Sequence, residues 1–172
     1  MTSTERGSRQ LRTVEWVHAL FAEEGIDYWL FGGWAVDFHA GRVTRDHEDV
    51  DLAIWRTDRD RATALLRAHG WTHAPDPGED GYTGFHRGDV RVELAFLARD
   101  SAGTVYTPLA EGRGEWPAGS FGADTAEVNG VRARVVGLAS LLEDKSGPRH
   151  DPAVAAKDRR DLAVLAALDR PD

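Results

Sequence analysis

The sequence predicts an α+β fold of α/β-like order: a small mixed β-sheet flanked by helices, with C-terminal helices as a cap. Three observations carry this. Apolar residues recur at helical spacing near both ends of the chain. Short β-branched and aromatic runs, bounded by turn residues, fill the middle. The elements run helix, strand, short helix, strand, helix, two hairpins, two helices, the order of a mixed sheet covered by helices. A chain of 172 residues can bury a real core. One domain is expected over residues 1–172, with its core over about 11–136 and the helical segment over about 137–170.

Val14, Val17, Leu20 and Phe21 set the helical period of Leu11 to Glu24, and Gly25 is its stop signal. Ile26 to Phe31 is short, aromatic and β-branched, hence a strand. Gly33 to Ala40 is a short helix ended by Gly41, and a polar loop follows over Gly41 to Glu48. Val50 to Trp55 is the second strand. Thr57 and Asp60 have capping-box spacing, with Asp in place of Glu, ahead of a helix from Asp58 to His69 that Gly70 ends. Pro75 to Gly81 is a loop. Tyr82 to His86 and Val90 to Leu97 flank Arg87-Gly88-Asp89 as a hairpin. Ser101 to Gly122 is Gly-rich without a period and is expected to be irregular. Asn129-Gly130 between Ala126–Val128 and Val131–Val136 is a two-residue hairpin turn. Gly137 to Lys145 is helical, Gly147 and Pro148 break it, and Ala153 to Leu168 is the last helix.

Composition narrows the chemistry. A net charge of −8 argues against binding a phosphate backbone, so nucleic acid is an unlikely partner, although Arg42, Arg45, Arg159 and Arg160 leave room for a local basic groove. There is no cysteine, which excludes disulfides, thiolate catalysis and Cys-ligated zinc. No apolar run approaches a membrane span, and Met1 to Gln10 lacks a signal-peptide core, so a cytoplasmic location is expected.

The most informative stretch is Phe31-Gly32-Gly33-Trp34-Ala35-Val36-Asp37 followed by His47-Glu48-Asp49-Val50-Asp51-Leu52. Residues two apart on a strand share a side, so Asp49 and Asp51 present two carboxylates to one point. The glycine pair lets backbone amides at a helix start approach phosphate oxygens. Hard oxygen ligands beside such a cradle suit Mg²⁺, which is commonly held by one or two carboxylates plus substrate phosphates. Two-metal chemistry commonly wants a third acid, and Glu93, in the apolar strand Val90 to Leu97, is the candidate metal ligand or proton acceptor. His47 shares the phase of the two aspartates if the strand starts early. It either touches a phosphate or metal, or orders its own loop. Arg42 and Arg45 either neutralise a triphosphate or are surface arginines. Lys145 and Lys157 either reach a triphosphate from the cap or lie on a solvated helix face. Asp37 either orients the loop arginines or is a plain helix-face residue. Tyr82, Phe85, Tyr106 and Trp116 either line an acceptor pocket or pack the hairpins.

Gly32-Gly33-Trp34-Ala35-Val36-Asp37, Gly41-Arg42-Val43-Thr44-Arg45 and His47-Glu48-Asp49-Val50-Asp51-Leu52 together resemble the aminoglycoside 2″-adenylyltransferase and lincosamide nucleotidyltransferase group of the polymerase-β-like nucleotidyltransferase superfamily. The resemblance is close over about residues 30–55. It extends more weakly to Glu93 and to Lys157-Asp158-Arg159-Arg160-Asp161-Leu162. It implies the nucleotidyltransferase fold and transfer of a nucleoside monophosphate, usually AMP from ATP, to an antibiotic hydroxyl with loss of pyrophosphate. Gly32 and Gly33 would then contact the triphosphate; Arg42, Arg45 and His47 remain candidates for it on the residue reading above. Asp49, Asp51 and Glu93 would hold Mg²⁺, with two ions expected. Two departures stand out: Gly-Gly replaces the Gly-Ser common in the superfamily, and the third acid is Glu rather than Asp. The expected partners are an NTP and a small hydroxylated acceptor, with a possible homodimer completing the acceptor pocket. The rival readings are a toxin-like nucleotidyltransferase acting on tRNA or protein, and a degenerate member that binds nucleotide without turnover.

Overall fold

The structure, a computed structural model, describes residues 3–168; Met1, Thr2 and the expected end of the cap at residue 170 lie outside the described residues. Among the described residues no helix is long and apolar enough to cross a membrane. The first helix, α1 (Ser3–Glu24), starts well before Leu11. Its polar first turns are held by tertiary contacts that periodicity does not register. The Arg9 guanidinium forks onto Asp89 at 2.8 and 2.9 Å, and buried Gln10 donates to the backbone carbonyl of His47 at 3.1 Å. Leu11, Val14, Val17 and Phe21 form the buried stripe. Gly25, at φ +65°, turns the chain, and the Ile26 amide returns to the Phe21 carbonyl.

Next come β1 (Tyr28–Phe31), α2 (Gly32–Ala40) and β2 (Val50–Trp55). They are followed by a single 3₁₀ turn over Arg56–Asp58 and then by α3 (Arg59–Ala68). The expected capping box does not form. Asp58 occupies the N-cap without a side-chain hydrogen bond, because the 3₁₀ turn shifts the helix start past the position that Thr57 would cap. Beyond it lie β3 (Thr72–Ala74), β4 (Tyr82–Arg87) and β5 (Val90–Arg99). The main sheet runs β1-β2-β5-β4-β3, with β2 and β5 parallel and every other pair antiparallel. β2 lies inside this sheet, and Val50, Leu52, Ala53 and Ile54 have no exposed surface. That is why it reads as a continuous apolar run rather than an alternating one.

Two findings depart from the expected element list. β3, absent from it, is an edge strand fixed by His73, which stacks on Phe85 at 4.7 Å. The stretch expected to be irregular contains β6 (Val105–Pro108) and β7 (Arg113–Glu115). They are too short to display a period of two. They form because β6 pairs with the end of β5, and because Trp116 donates to the Thr107 hydroxyl at 2.9 Å. The second hairpin, β8 (Thr125–Val128) and β9 (Val131–Arg134), turns at Asn129 (φ +50°) and Gly130 (φ +81°), the two positive φ values of a type I′ turn. It abuts the free side of β1 through the Val136 amide and the Leu30 carbonyl, 3.0 Å apart. α4 (Leu138–Ser146) and α5 (Pro152–Leu168) pack on each other and on α2, forming the expected cap.

Candidate functional site

The glycine pair joins β1 to α2 beside the end of β2. Gly32 has φ +67°, and a Cβ there would lie 2.2 Å from Asp51 Oδ2. A Cβ on Gly33 would lie 2.4 Å from Arg45 Nη2 and 2.6 Å from His47 Nδ1. The pair therefore makes room for the site's own side chains at the start of α2. No side chain caps the first-turn amides there.

Asp49 directly precedes β2, and Asp51 is its second residue. Asp51 stands opposite Glu93 in the β2–β5 register, so the three acids share one region of the sheet end, although Glu93 itself lines neither cavity described below. All three hold their protons more tightly than ordinary carboxyls. For Asp51 the main cause is burial, followed by the charges of Asp49 and Glu93, with Lys145 opposing. For Asp49 it is burial, opposed mainly by Arg91. For Glu93 it is burial and then Asp49, against Arg91, whose guanidinium lies 3.3 Å away. These are hard oxygen donors with too little positive charge among them, a donor set that fits a divalent cation. Among the described residues no three acids or histidines close into a ready-made metal cage. That suits an ion whose remaining ligands come from water and substrate.

His47 is buried and its Nε2 donates to Asp37 at 2.5 Å, and Thr44 donates to the other Asp37 oxygen. The Trp34 and His47 rings lie 4.6 Å apart. Asp37 thus fastens the loop ahead of Asp49 rather than orienting arginines. Arg45 reaches across to α5, forking onto Asp161 at 2.8 and 3.0 Å. Arg42 is exposed past the end of α2 and lines neither cavity described below; Arg159 and Arg160 are also exposed.

Two adjoining cavities open here. One of about 210 Å³ is lined by Gly32, Gly33, Arg45, His47, Asp49 and Asp51 from the core, and by Lys145, Arg149, Lys157 and Asp158 from the cap. Lys145 is buried, which sets aside the solvated-face reading, and its ammonium lies 3.1 Å from both Asp158 and Asp161. Arg149 bonds Asp158 at 2.5 Å and Asp144 at 3.0 Å. Lys157 pairs with exposed Glu48 at 3.1 Å. The second cavity, about 350 Å³, is lined by Tyr82, Trp116, Glu115, Glu143 and Pro148 among others, and it shares Phe31, Gly32, Asp144 and Arg149 with the first. Tyr82 is pushed up to about 12 by burial and by the negative charges of Glu93, Asp144, Glu79 and Asp51. Phe85 and Tyr106 do not join it: Phe85 is core, and Tyr106 lies under the Arg113 guanidinium.

Sequence reasoning did not single out Arg149, Asp144, Asp158 or Asp161 as site residues. One signal was available. Asp158, Asp161 and Leu165 fall on one face of α5 at i, i+3 and i+7, so two acids occupy the stripe that an amphipathic helix buries.

A family model described as aminoglycoside-2″-adenylyltransferase matches residues 13–165. A 2″-aminoglycoside nucleotidyltransferase of Klebsiella pneumoniae is 34% identical over 61 residues, covering 36% of this chain and 34% of that protein. A lincosamide resistance protein of Staphylococcus haemolyticus is 46% identical over 33 residues, 19% of this chain and 20% of its own. The chain thus matches about a third, or less, of the length of these curated relatives. Among solved structures, a lincomycin-bound lincosamide antibiotic adenylyltransferase superposes with a TM-score of 0.71 at 18% identity, covering 89% of this chain and 94% of that one. The structure of ANT(2″)-Ia in complex with adenylyl-2″-tobramycin gives 0.67 at 21% identity, covering 93% and 97%. At these identities the likeness is one of fold.

Proposed function

The chain belongs to the aminoglycoside-2″-adenylyltransferase family, and from that premise we propose that it moves a nucleoside monophosphate, AMP from ATP, to a hydroxyl of an aminoglycoside- or lincosamide-type antibiotic. One observation carries the reading: a single cavity brings Asp49 and Asp51 together with Arg45, Lys145 and Arg149. Carboxylates alone would suit a bare cation, and cations alone a bare anion. Both together suit a magnesium triphosphate.

The first-turn amides of α2 and the three cations receive the triphosphate oxygens. Asp49 and Asp51 are the residues that would hold Mg²⁺, with Glu93 as the third acid for a second ion. Such ions neutralise phosphate charge and align the attacking and leaving oxygens. The acceptor hydroxyl oxygen bonds to the α-phosphorus, the bond to the bridging oxygen of the β-phosphate breaks, and pyrophosphate leaves. Glu93 takes the hydroxyl proton, a role that suits a carboxylate whose affinity for protons is raised by burial and by Asp49. The larger cavity receives the acceptor. Tyr82 and Trp116 offer flat apolar faces, and Glu115, Glu143 and Asp144 attract cationic amines.

The test incubates the protein with Mg²⁺, each NTP and a panel of antibiotics, reading pyrophosphate release and acceptor mass. A gain of one nucleoside monophosphate on an aminoglycoside or lincosamide is expected. NTP binding with no mass gain on any acceptor overturns transfer in favour of the degenerate, binding-only reading.

A further inference from the structure

We propose that Asp161, which touches no substrate, is a positioning residue that aims Arg45 and Lys145 at the triphosphate. Asp161 is 1% exposed and lines neither cavity, whereas both of its cationic partners line the smaller one. Its Oδ1 accepts Arg45 Nε at 2.8 Å, and its Oδ2 accepts Arg45 Nη2 at 3.0 Å and lies 3.1 Å from Lys145 Nζ. Asp158 repeats the device one helical turn earlier, holding Lys145 at 3.1 Å and Arg149 at 2.5 Å. Two buried carboxylates therefore fix three cations in a row: Arg45, Lys145, Arg149. Donors remain on each. Lys145 has three N–H groups and two carboxylate partners, Arg149 commits Nε and Nη2 but not Nη1, and Arg45, whose Nη1 also donates to the Asp46 carbonyl, keeps the second N–H of each Nη group. Long cationic side chains lose rotamer freedom when they bind. Here that loss is taken at folding, before any ligand arrives.

The inference rests on the nucleotide-transfer reading, and its test separates the two. Electrostatics alone predicts that deleting the Asp161 charge tightens anion binding. Positioning predicts that it weakens binding, and only for ligands long enough to reach the cations. Calorimetric titration of the whole chain with ATP, ADP and AMP in Mg²⁺ reads this directly. For Asp161→Asn the expected result is a loss of about tenfold for ATP, less for ADP and almost none for AMP. Asp161→Glu keeps the charge, displaces the carboxylate by one methylene and is expected to give the same graded loss, which charge alone would not; it decides the matter if Asp161→Asn does not fold. Equal loss for all three ligands, no loss, or tighter ATP binding overturns the positioning role. A wild-type protein that binds ATP no better than AMP overturns the nucleotide-transfer reading itself.

Discussion

The two walls of the smaller cavity are made in different ways. On the core wall, Gly32, Gly33, His47, Asp49 and Asp51 come from the short stretch that joins β1, α2 and β2. Their positions follow from strand geometry and one tight turn. On the cap wall, Lys145, Arg149 and Asp158 come from α4, α5 and the link between them, and the cross-tie from Arg45 to Asp161 spans 116 residues of sequence. The first wall is set by local backbone, the second by docking. Loss of a carboxylate from the core wall should therefore be chemical and leave the fold standing, while damage to its glycine turn, to the loop anchor or to the cap wall should spread into stability.

Asp51→Asn gives the sharpest contrast. Transfer is expected to fall by about 10³-fold or more, while the melting temperature does not drop, because the lost charge is one that burial and the neighbouring carboxylates of Asp49, Glu93 and Asp144 oppose. A variant with wild-type turnover would break the comparison at its root. Gly32→Ala comes next. It forces an alanine into a left-handed conformation, costing about 1–2 kcal/mol, and drives its Cβ into the Asp51 carboxylate. Activity and denaturant midpoint should both fall, further than in Gly33→Ala, where the clashes are also with side chains but the backbone is not left-handed. Asp37→Asn weakens the anchor of the His47 loop and is expected to cost about 1–3 kcal/mol by chemical denaturation.

Acid tests the cap. The guanidinium and ammonium partners hold the Asp161 carboxyl below its ordinary value, outweighing the burial that pushes it up. A lowered folded value means that its contribution is fully present above the unfolded carboxyl range, about pH 4, and is lost as pH falls through the folded value. Melting temperature against pH should therefore have a shallower acid limb in Asp161→Asn than in wild type. The smallest effect is expected at Arg113, whose guanidinium is exposed and whose pairs with Asp100 and Glu115 are screened by water; Arg113→Ala should leave the denaturant midpoint nearly unchanged.

The same division explains what could be read from the sequence. β2 begins and ends at the residues its composition indicates, the Asn129-Gly130 turn has the two positive φ values that dipeptide favours, and Gly25, Gly41 and Gly70 all close helices with positive φ. Each depends on a few neighbouring residues. β6 and β7 depend instead on the end of β5, the first turns of α1 on Asp89 and the His47 loop, and Lys145 on two carboxylates of another helix. A local pattern carries no trace of a distant partner. His47 shows the same limit within the motif itself: its spacing to Asp49 is visible in the sequence, but the buried carboxylate that claims its Nε2 is not.

Phe31, Gly32, Asp144 and Arg149 are the only wall the two cavities have in common among the described residues. Inheritance can use that partition. Replacements at Tyr82, Trp116 or Pro117, which line the larger of these two cavities and not the smaller, alter the proposed acceptor side without touching a group proposed to receive phosphate, so the proposed acceptor could change one substitution at a time. The four shared residues have no such latitude, because each change there is felt by both substrates. Variation among members of this family should accumulate on the 105–117 side and stop at that wall.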